Sequence, residues 1–158
     1  MAFTLTSSDF ASGAEIPGAH TCEGADQSPA LAWSGVPAAA RSLALIIDDP
    51  DAPDPRAPRT VWSHWLLYNL PPADGALLRA VTRDALPAGA LEGKNDFGRT
   101  GYRGPCPPVG RHRYFHRLFA LDVVLPDLHT PARPALLQAM RGHILETAEL
   151  MGTYQKKG

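Results

Sequence analysis

Three short stretches of this chain hold side chains that titrate or donate hydrogen bonds, each beside a rigid turn. The first is Asp48-Asp49-Pro50-Asp51, at the end of an apolar run. The second is Trp62-Ser63-His64-Trp65. The third is His112-Arg113-Tyr114, which follows Gly104-Pro105-Cys106-Pro107-Pro108-Val109-Gly110. In an extended chain Trp62 and His64 fall on one face and Ser63 and Trp65 on the other, while His112 shares a face with Tyr114. Each stretch also has an ordinary structural reading. Asp bonds nearby backbone in turns, a single His is often a satisfied core residue, and a Gly-Pro turn commonly leads into a half-buried strand. Brought together, the three would make a small polar site with an indole wall. Histidine donates to an anion, a neighbouring carboxylate holds the ring and keeps it protonated, and tyrosine donates a hydroxyl. Such a site suits a phosphate or a carboxylate ester.

Two other chemistries compete with anion binding. His and Asp are ligands for zinc or manganese. No Cys-x-x-Cys occurs, however, and the candidate ligands are far apart, so no metal and no other cofactor is expected. Hydrolysis lacks a signature, with neither a Gly-x-Ser-x-Gly elbow nor a Gly-x-x-x-x-Gly-Lys-Ser/Thr phosphate loop. Cys106 and His112 would serve as nucleophile and base only if the fold joined them. No residue is assigned a catalytic role. A weak hydrolase using His64 with Asp49 is the alternative to a binding module.

The elements that must position these residues are mostly strands. Sixteen prolines are excluded from helix interiors and central strands, which implies many ordered turns and a β-rich fold. Alternation or apolar runs predict strands at Phe3–Thr6, Leu31–Trp33, Ser42–Asp48, Val61–Leu70 and Arg113–Leu125. In the last of these, Tyr114, His116, Leu118 and Ala120 share one face, and Phe115, Arg117, Phe119 and Leu121 the other. Asp49 to Pro55 is expected to be irregular because of its prolines, and 87–111 to be a functional loop. A final helix is predicted from Thr130 as cap and Pro131 as first helical residue. Its stripe is Leu136, Leu137, Met140, Ile144, Ala148 and Met151, and Gly152 is its C-cap.

The totals limit the partners. At 158 residues the chain is expected to form one domain, 1–158. Fifteen Lys and Arg against sixteen Asp and Glu leave a net charge of −1, which offers a polyanion nothing, so nucleic acid is not an expected partner. No stretch approaches the ~20 apolar residues of a membrane span, and the first residues lack a signal-peptide pattern. The expectation is a cytoplasmic protein with Cys22 and Cys106 as free thiols.

In their order these motifs resemble the phosphatidylethanolamine-binding protein family, closest to its bacterial branch of Raf kinase inhibitor-like proteins. The carrying residues are Asp49-Pro50-Asp51-Ala52-Pro53, Trp62-Ser63-His64-Trp65, Gly104-Pro105-Cys106-Pro107-Pro108 and His112-Arg113-Tyr114. Thr21-Cys22-Glu23-Gly24, Ser28-Pro29-Ala30-Leu31-Ala32-Trp33, Gly93-Lys94-Asn95-Asp96-Phe97-Gly98 and Gly142-His143-Ile144 add the bacterial character. The resemblance implies a β-sandwich with a large antiparallel sheet, a smaller sheet and a C-terminal α-helix. It implies a pocket for phosphate or a phospholipid head group at one end of the large sheet. Asp49, His64, His112 and Tyr114 would line it, Trp62, Gly104 and Pro108 would wall it, and Asp51 would support the turn. It also implies a cis peptide, for which Ala52-Pro53 is the candidate, a homodimer, and a regulatory role toward a protein partner.

Overall fold

Ser42-Leu43-Ala44-Leu45-Ile46-Ile47 offers no polar face, so a strand built from it needs cover on both sides. The fold supplies that cover. The computed structural model describes residues 2–158. In chain order the elements are β1 (Thr4–Thr6), β2 (Leu31–Ser34), β3 (Ser42–Ala52), β4 (Thr60–Leu70), β5 (Gly75–Leu77), β6 (Leu91–Glu92), β7 (His112–Leu121), α1 (Arg133–Met140) and β8 (Ile144–Tyr154). The large antiparallel sheet has the order β6-β4-β3-β7-β8, with β3 at its centre, and the small sheet the order β1-β2-β5. Leu43, Leu45 and Ile47 of β3 pack toward the small sheet with Leu5, Leu31 and Trp33. Ala44 and Ile46 pack the other way, with Leu66 and Tyr68, against Leu136 and Met140 of α1. The β-rich sandwich with a large sheet, a smaller sheet and one helix is therefore present, and the Ala52-Pro53 peptide is cis.

The helix is shorter than the stripe predicted. It starts after Ala132, not Thr130. His129 and Thr130 both hold positive φ in the turn before it, and Pro134 sits in its first turn. It stops at Met140, where Arg141 turns extended (ψ 130°) and Gly142 takes φ 81°. The rest of the expected helix is β8. From Ala148 onward the inward residues Ala148, Leu150, Gly152 and Tyr154 recur with period two. The strand pairs with β7 from Leu121↔Ile144 to His112↔Tyr154. That long ladder outweighs a helical coincidence of spacing. Gly152 is no cap. A Cβ there would lie 2.5 Å from Ile16 Cγ1 and 2.8 Å from Phe10 Cε2, so the crossing of the 10–16 segment requires glycine.

A second departure concerns Pro50. β3 runs through it to Ala52, although the prolines predicted irregular chain. The β3–β7 ladder ends at Asp48↔Phe115, and the β3–β4 register shifts between Asp49↔Trp62 and Ala52↔Thr60. Pro50 falls in that bulge with no partner on either side, where its missing N–H disrupts nothing. β7 ends at Leu121, earlier than the predicted Leu125.

The docking of α1 is testable. Leu136 is fully buried and Leu145 is exposed on β8. Leu136→Ala is expected to lower stability by about 2–5 kcal/mol, and Leu145→Ala by less than about 0.5 kcal/mol, read as urea-unfolding free energies.

Candidate functional site

Three elements meet at one end of the large sheet. The end of β3 brings Asp49, the start of β4 brings Trp62 and His64, and the start of β7 brings His112 and Tyr114. These line a cavity of about 230 Å³, closed by Ala52, Pro53, Phe97, Cys106, Pro107 and Pro108. Six of the seven expected site residues thus converge. Gly104 does not line the cavity. Its N–H donates to Asp26 Oδ1 at 2.8 Å, and a Cβ on it would run into the His20 carbonyl. It lets the proline loop lie against the 20–26 segment. The other residues of that loop supply few donors, because Pro105, Pro107 and Pro108 have no N–H.

A β-bulge sets the direction of His64. Ile47 pairs with Trp65 and Asp48 with Ser63, which leaves His64 as the extra residue on β4. Simple alternation would put Trp65 opposite His64. Instead Trp65 joins the inter-sheet core while His64 meets Tyr114 edge-on at 5.3 Å. His64 Nδ1 donates to the Arg103 carbonyl at 2.6 Å. Burial holds its pKa down at about 4, so the ring is neutral near pH 7.

The carboxylates are each satisfied. Asp49 Oδ1 accepts the Asp51 N–H at 2.7 Å, and Asp49 Oδ2 lies 2.6 Å from His112 Nδ1. His112 Nε2 donates to the Val109 carbonyl at 2.8 Å. That carbonyl only accepts, so Nε2 carries a hydrogen, and the Asp49–His112 contact shares a single further proton. The pair has no net charge whichever side holds it. Burial raises the Asp49 pKa more than His112 lowers it. Asp51 does support the turn: its carboxylate takes the Arg113 backbone N–H at 2.9 Å and both edges of the guanidinium at 2.9 and 2.8 Å. The Tyr114 ring stacks beside His112 at 6.3 Å. Burial and the nearby Asp49 push its hydroxyl up, so it stays protonated.

Phe97 is the wall residue that side-chain chemistry alone did not single out. It packs edge-on against Trp62 and His64, both at 5.5 Å, with the Arg103 guanidinium 5.2 Å from its ring centre. Asn95 and Asp96 hold it there. Asn95 Oδ1 accepts the N–H groups of Phe97 and Arg99, and Asp96 Oδ2 accepts the Ser63 N–H at 2.6 Å. The only signal in the sequence was the Lys94-Asn95-Asp96-Phe97-Gly98 motif of the family resemblance.

The expectation of free thiols is overturned. Cys22 and Cys106 form a disulfide with Cα atoms 5.4 Å apart, so Cys106 is unavailable as a nucleophile. The loops it joins also bond directly, Cys22 N–H to the Pro105 carbonyl at 3.1 Å and the Tyr102 hydroxyl to the His20 carbonyl at 2.7 Å. The Asp49 carboxylate sits on His112 rather than His64, so the His64–Asp49 pair of the hydrolase alternative is not formed.

Known proteins similar to this chain share its family and its fold. The family model described as phosphatidylethanolamine-binding protein matches residues 6–155. A UPF0098 protein of Methanothermobacter thermautotrophicus is 50% identical over 143 residues, which cover 89% of this chain and 91% of that relative. The crystal structure of a phosphatidylethanolamine-binding protein homolog from Chlamydia trachomatis superposes with a TM-score of 0.89 at 44% identity, covering 99% of both chains. That of Escherichia coli YbcL, described as a member of the mammalian family, also gives 0.89, at 32% identity over 99% of this chain and 100% of YbcL.

Two outcomes are expected from this geometry. The disulfide spans 84 residues, for which chain entropy gives a stabilisation of about 4–5 kcal/mol, less any strain. The Cys22→Ser/Cys106→Ser double variant should therefore melt well below the oxidised parent in a calorimetric scan, and the untreated parent should take up no thiol label. His64 and His116 are both buried and neutral, with pKa values lowered to about 4 from 6.5. The unfolded chain protonates them first as pH falls. Each therefore adds stability that is complete above about pH 6.5 and is lost toward pH 4, by about 1 kcal/mol per pH unit. Urea titrations at pH 7 and pH 5 read the loss, and His116→Gln should reduce it.

Proposed function

This chain belongs to the phosphatidylethanolamine-binding protein family, and from that premise we propose that it binds a small anionic group, a phosphate or a phospholipid head group, in the cavity at the end of the large sheet. The observation that carries the proposal is the convergence of Asp49, His64, His112 and Tyr114 in one aromatic-walled cavity. Trp62 and Phe97 give the apolar wall, and Tyr114 offers a hydroxyl. A volume near 230 Å³ lies below the roughly 300–1,000 Å³ of pockets for drug-sized ligands. That suits a head group rather than an acyl chain.

The proposed role is that of a binding module, with regulation of a protein partner as the consequence of occupancy. Homodimerisation is proposed with it, on the resemblance to bacterial relatives. Among the described residues no helix is long and apolar enough to cross a membrane. Cytoplasmic residence remains a proposal that has to accommodate the Cys22–Cys106 bridge, because cytosolic thiols usually stay reduced.

Titration with O-phosphorylethanolamine, followed by the histidine ring signals in NMR, tests the reading. Saturable shifts of His64 and His112 that disappear in His64→Ala are expected, without release of product. Ring signals unmoved at millimolar ligand would overturn anion binding, and steady turnover that His64→Ala abolishes would replace the binding module with an enzyme.

A further inference from the structure

The two histidines of the cavity are not equivalent. His112 has no free nitrogen, since Asp49 and the Val109 carbonyl occupy both. His64 spends Nδ1–H on the Arg103 carbonyl, which can only accept. Among the described residues no group lies in hydrogen-bonding geometry with its Nε2. Among the described residues the sealed, partnerless side-chain polar atoms are Ser63 Oγ and Trp65 Nε1, so His64 Nε2 is not shut away from the cavity it lines. In the neutral ring that nitrogen is a lone pair. The cavity lining, among the described residues, includes no lysine or arginine, and the Asp49–His112 pair contributes no net charge. A fully ionised phosphate would therefore meet a lone pair and no net positive charge to offset its own.

We infer that the site takes its anion together with a proton: either a singly protonated phosphate that donates its P–O–H to His64 Nε2, or a bare anion whose arrival draws a proton from solvent onto that nitrogen. This rests on the anion-binding reading and adds a ligand class to it. Near neutral pH a phosphate monoester, which carries its own proton, is preferred over an anion that has none to give.

The surroundings of His64 are consistent with such a coupling. From the 95–104 loop it faces Asp96, whose charge favours the protonated ring, and Arg103, whose guanidinium is drawn away to Asp26 at 3.3 Å. From β7 it faces His112 and Tyr114, with His116 behind, and from β3 it faces Asp49. Cys106 is held in the bridge and does not titrate. In the empty site burial outweighs the acidic neighbours and keeps the ring neutral down to about pH 4. A bound anion adds the counter-charge that reverses the balance.

Calorimetric titration with two probes at pH 5 to 8 tests this. Inorganic sulfate does not titrate in that range, so any proton must go to the protein. Its affinity is expected to fall about a hundredfold from pH 5 to pH 7, with close to one proton taken up per sulfate in buffers of different ionisation heat. O-phosphorylethanolamine, with a second pKa near 6, should fall only about tenfold over the same range. His64→Gln offers an amide donor in place of the lone pair and should bind sulfate with a nearly flat pH profile. A flat sulfate profile in the parent overturns the inference, and so does a slope that survives in His64→Gln, since Asp49 would then be the titrating group. If the variant does not fold, the proton count of the parent decides alone. Failure of both probes to bind at every pH would instead sink the anion-binding reading itself.

Discussion

Three carboxylates lie buried within four residues at the end of the central strand, and the arrangement of the molecule around them follows from the need to satisfy each one. Asp48, Asp49 and Asp51 are 2%, 3% and 6% exposed. An unpartnered charge in such a place costs several kcal/mol, so partners must come from outside β3. Asp48 turns outward to Arg117 of β7 at 3.4 Å and Arg133 of α1 at 2.9 Å. Asp49 turns inward to His112, and Asp51 receives the Arg113 fork. The first residue of the helix and the start of β7 are thus fixed by charge as well as by apolar packing. A one-residue slip of β7 would carry Arg113 and Arg117 to the wrong face and strand the carboxylates. The balance differs along the row. Burial dominates for Asp48 and Asp49 and raises both pKa values, whereas at the rim the Arg113 hydrogen bonds dominate and lower that of Asp51.

That row would have nothing to face without the bulge on β4. Leu67 and Trp65 point into the inter-sheet core with the regular period of two. Continued without interruption, that period would send Ser63 toward the cavity and His64 away from it. The extra residue reverses the parity, so that His64 arrives on the side of Asp49 and Tyr114 while Ser63 stands opposite Asp48. A second shift between Asp49↔Trp62 and Ala52↔Thr60 absorbs Pro50. Bulges beside a site are a common means of re-aiming side chains. Here they allow a strand that is buried on both faces to end in a polar cavity.

What the sequence made legible follows the same division. The apolar run of β3, the alternation of β7 and the proline-punctuated turns were readable because each is local. The site residues were readable as chemistry, and their convergence through the family motifs. What escaped was non-local. Residues 144–154 fit a helical stripe as well as a strand until the ladder to β7 decides between them. Cys22 and Cys106 lie 84 residues apart, and the compartment rule that predicted free thiols contains no geometry. Gly104 looked like a ligand contact because of its loop, yet it is required by the close approach of His20. Phe97 carries no titratable group and becomes part of the site only because Asn95 and Asp96 tie its backbone to Ser63.

The walls of the cavity are stiff for reasons that can be named. Pro53, Pro107 and Pro108 restrict the backbone on one side, and the bridge ties the proline loop to the 20–26 segment. Asn95 and Asp96 fix the aromatic wall on another side. A site whose frame is ordered before the ligand arrives loses little further freedom on binding. The same contacts leave the parts of the hydrolase alternative unassembled. A hydrolytic centre needs an activated nucleophile and an oriented base, but Cys106 is oxidised and the Asp49 carboxylate is committed to His112. His64 retains the lone pair of a base without a carboxylate to orient it, its other nitrogen being held by a backbone carbonyl. A preformed cavity with one open lone pair and one hydroxyl fits the proposed binding module, whose selectivity would then follow from whether the incoming group can supply a proton.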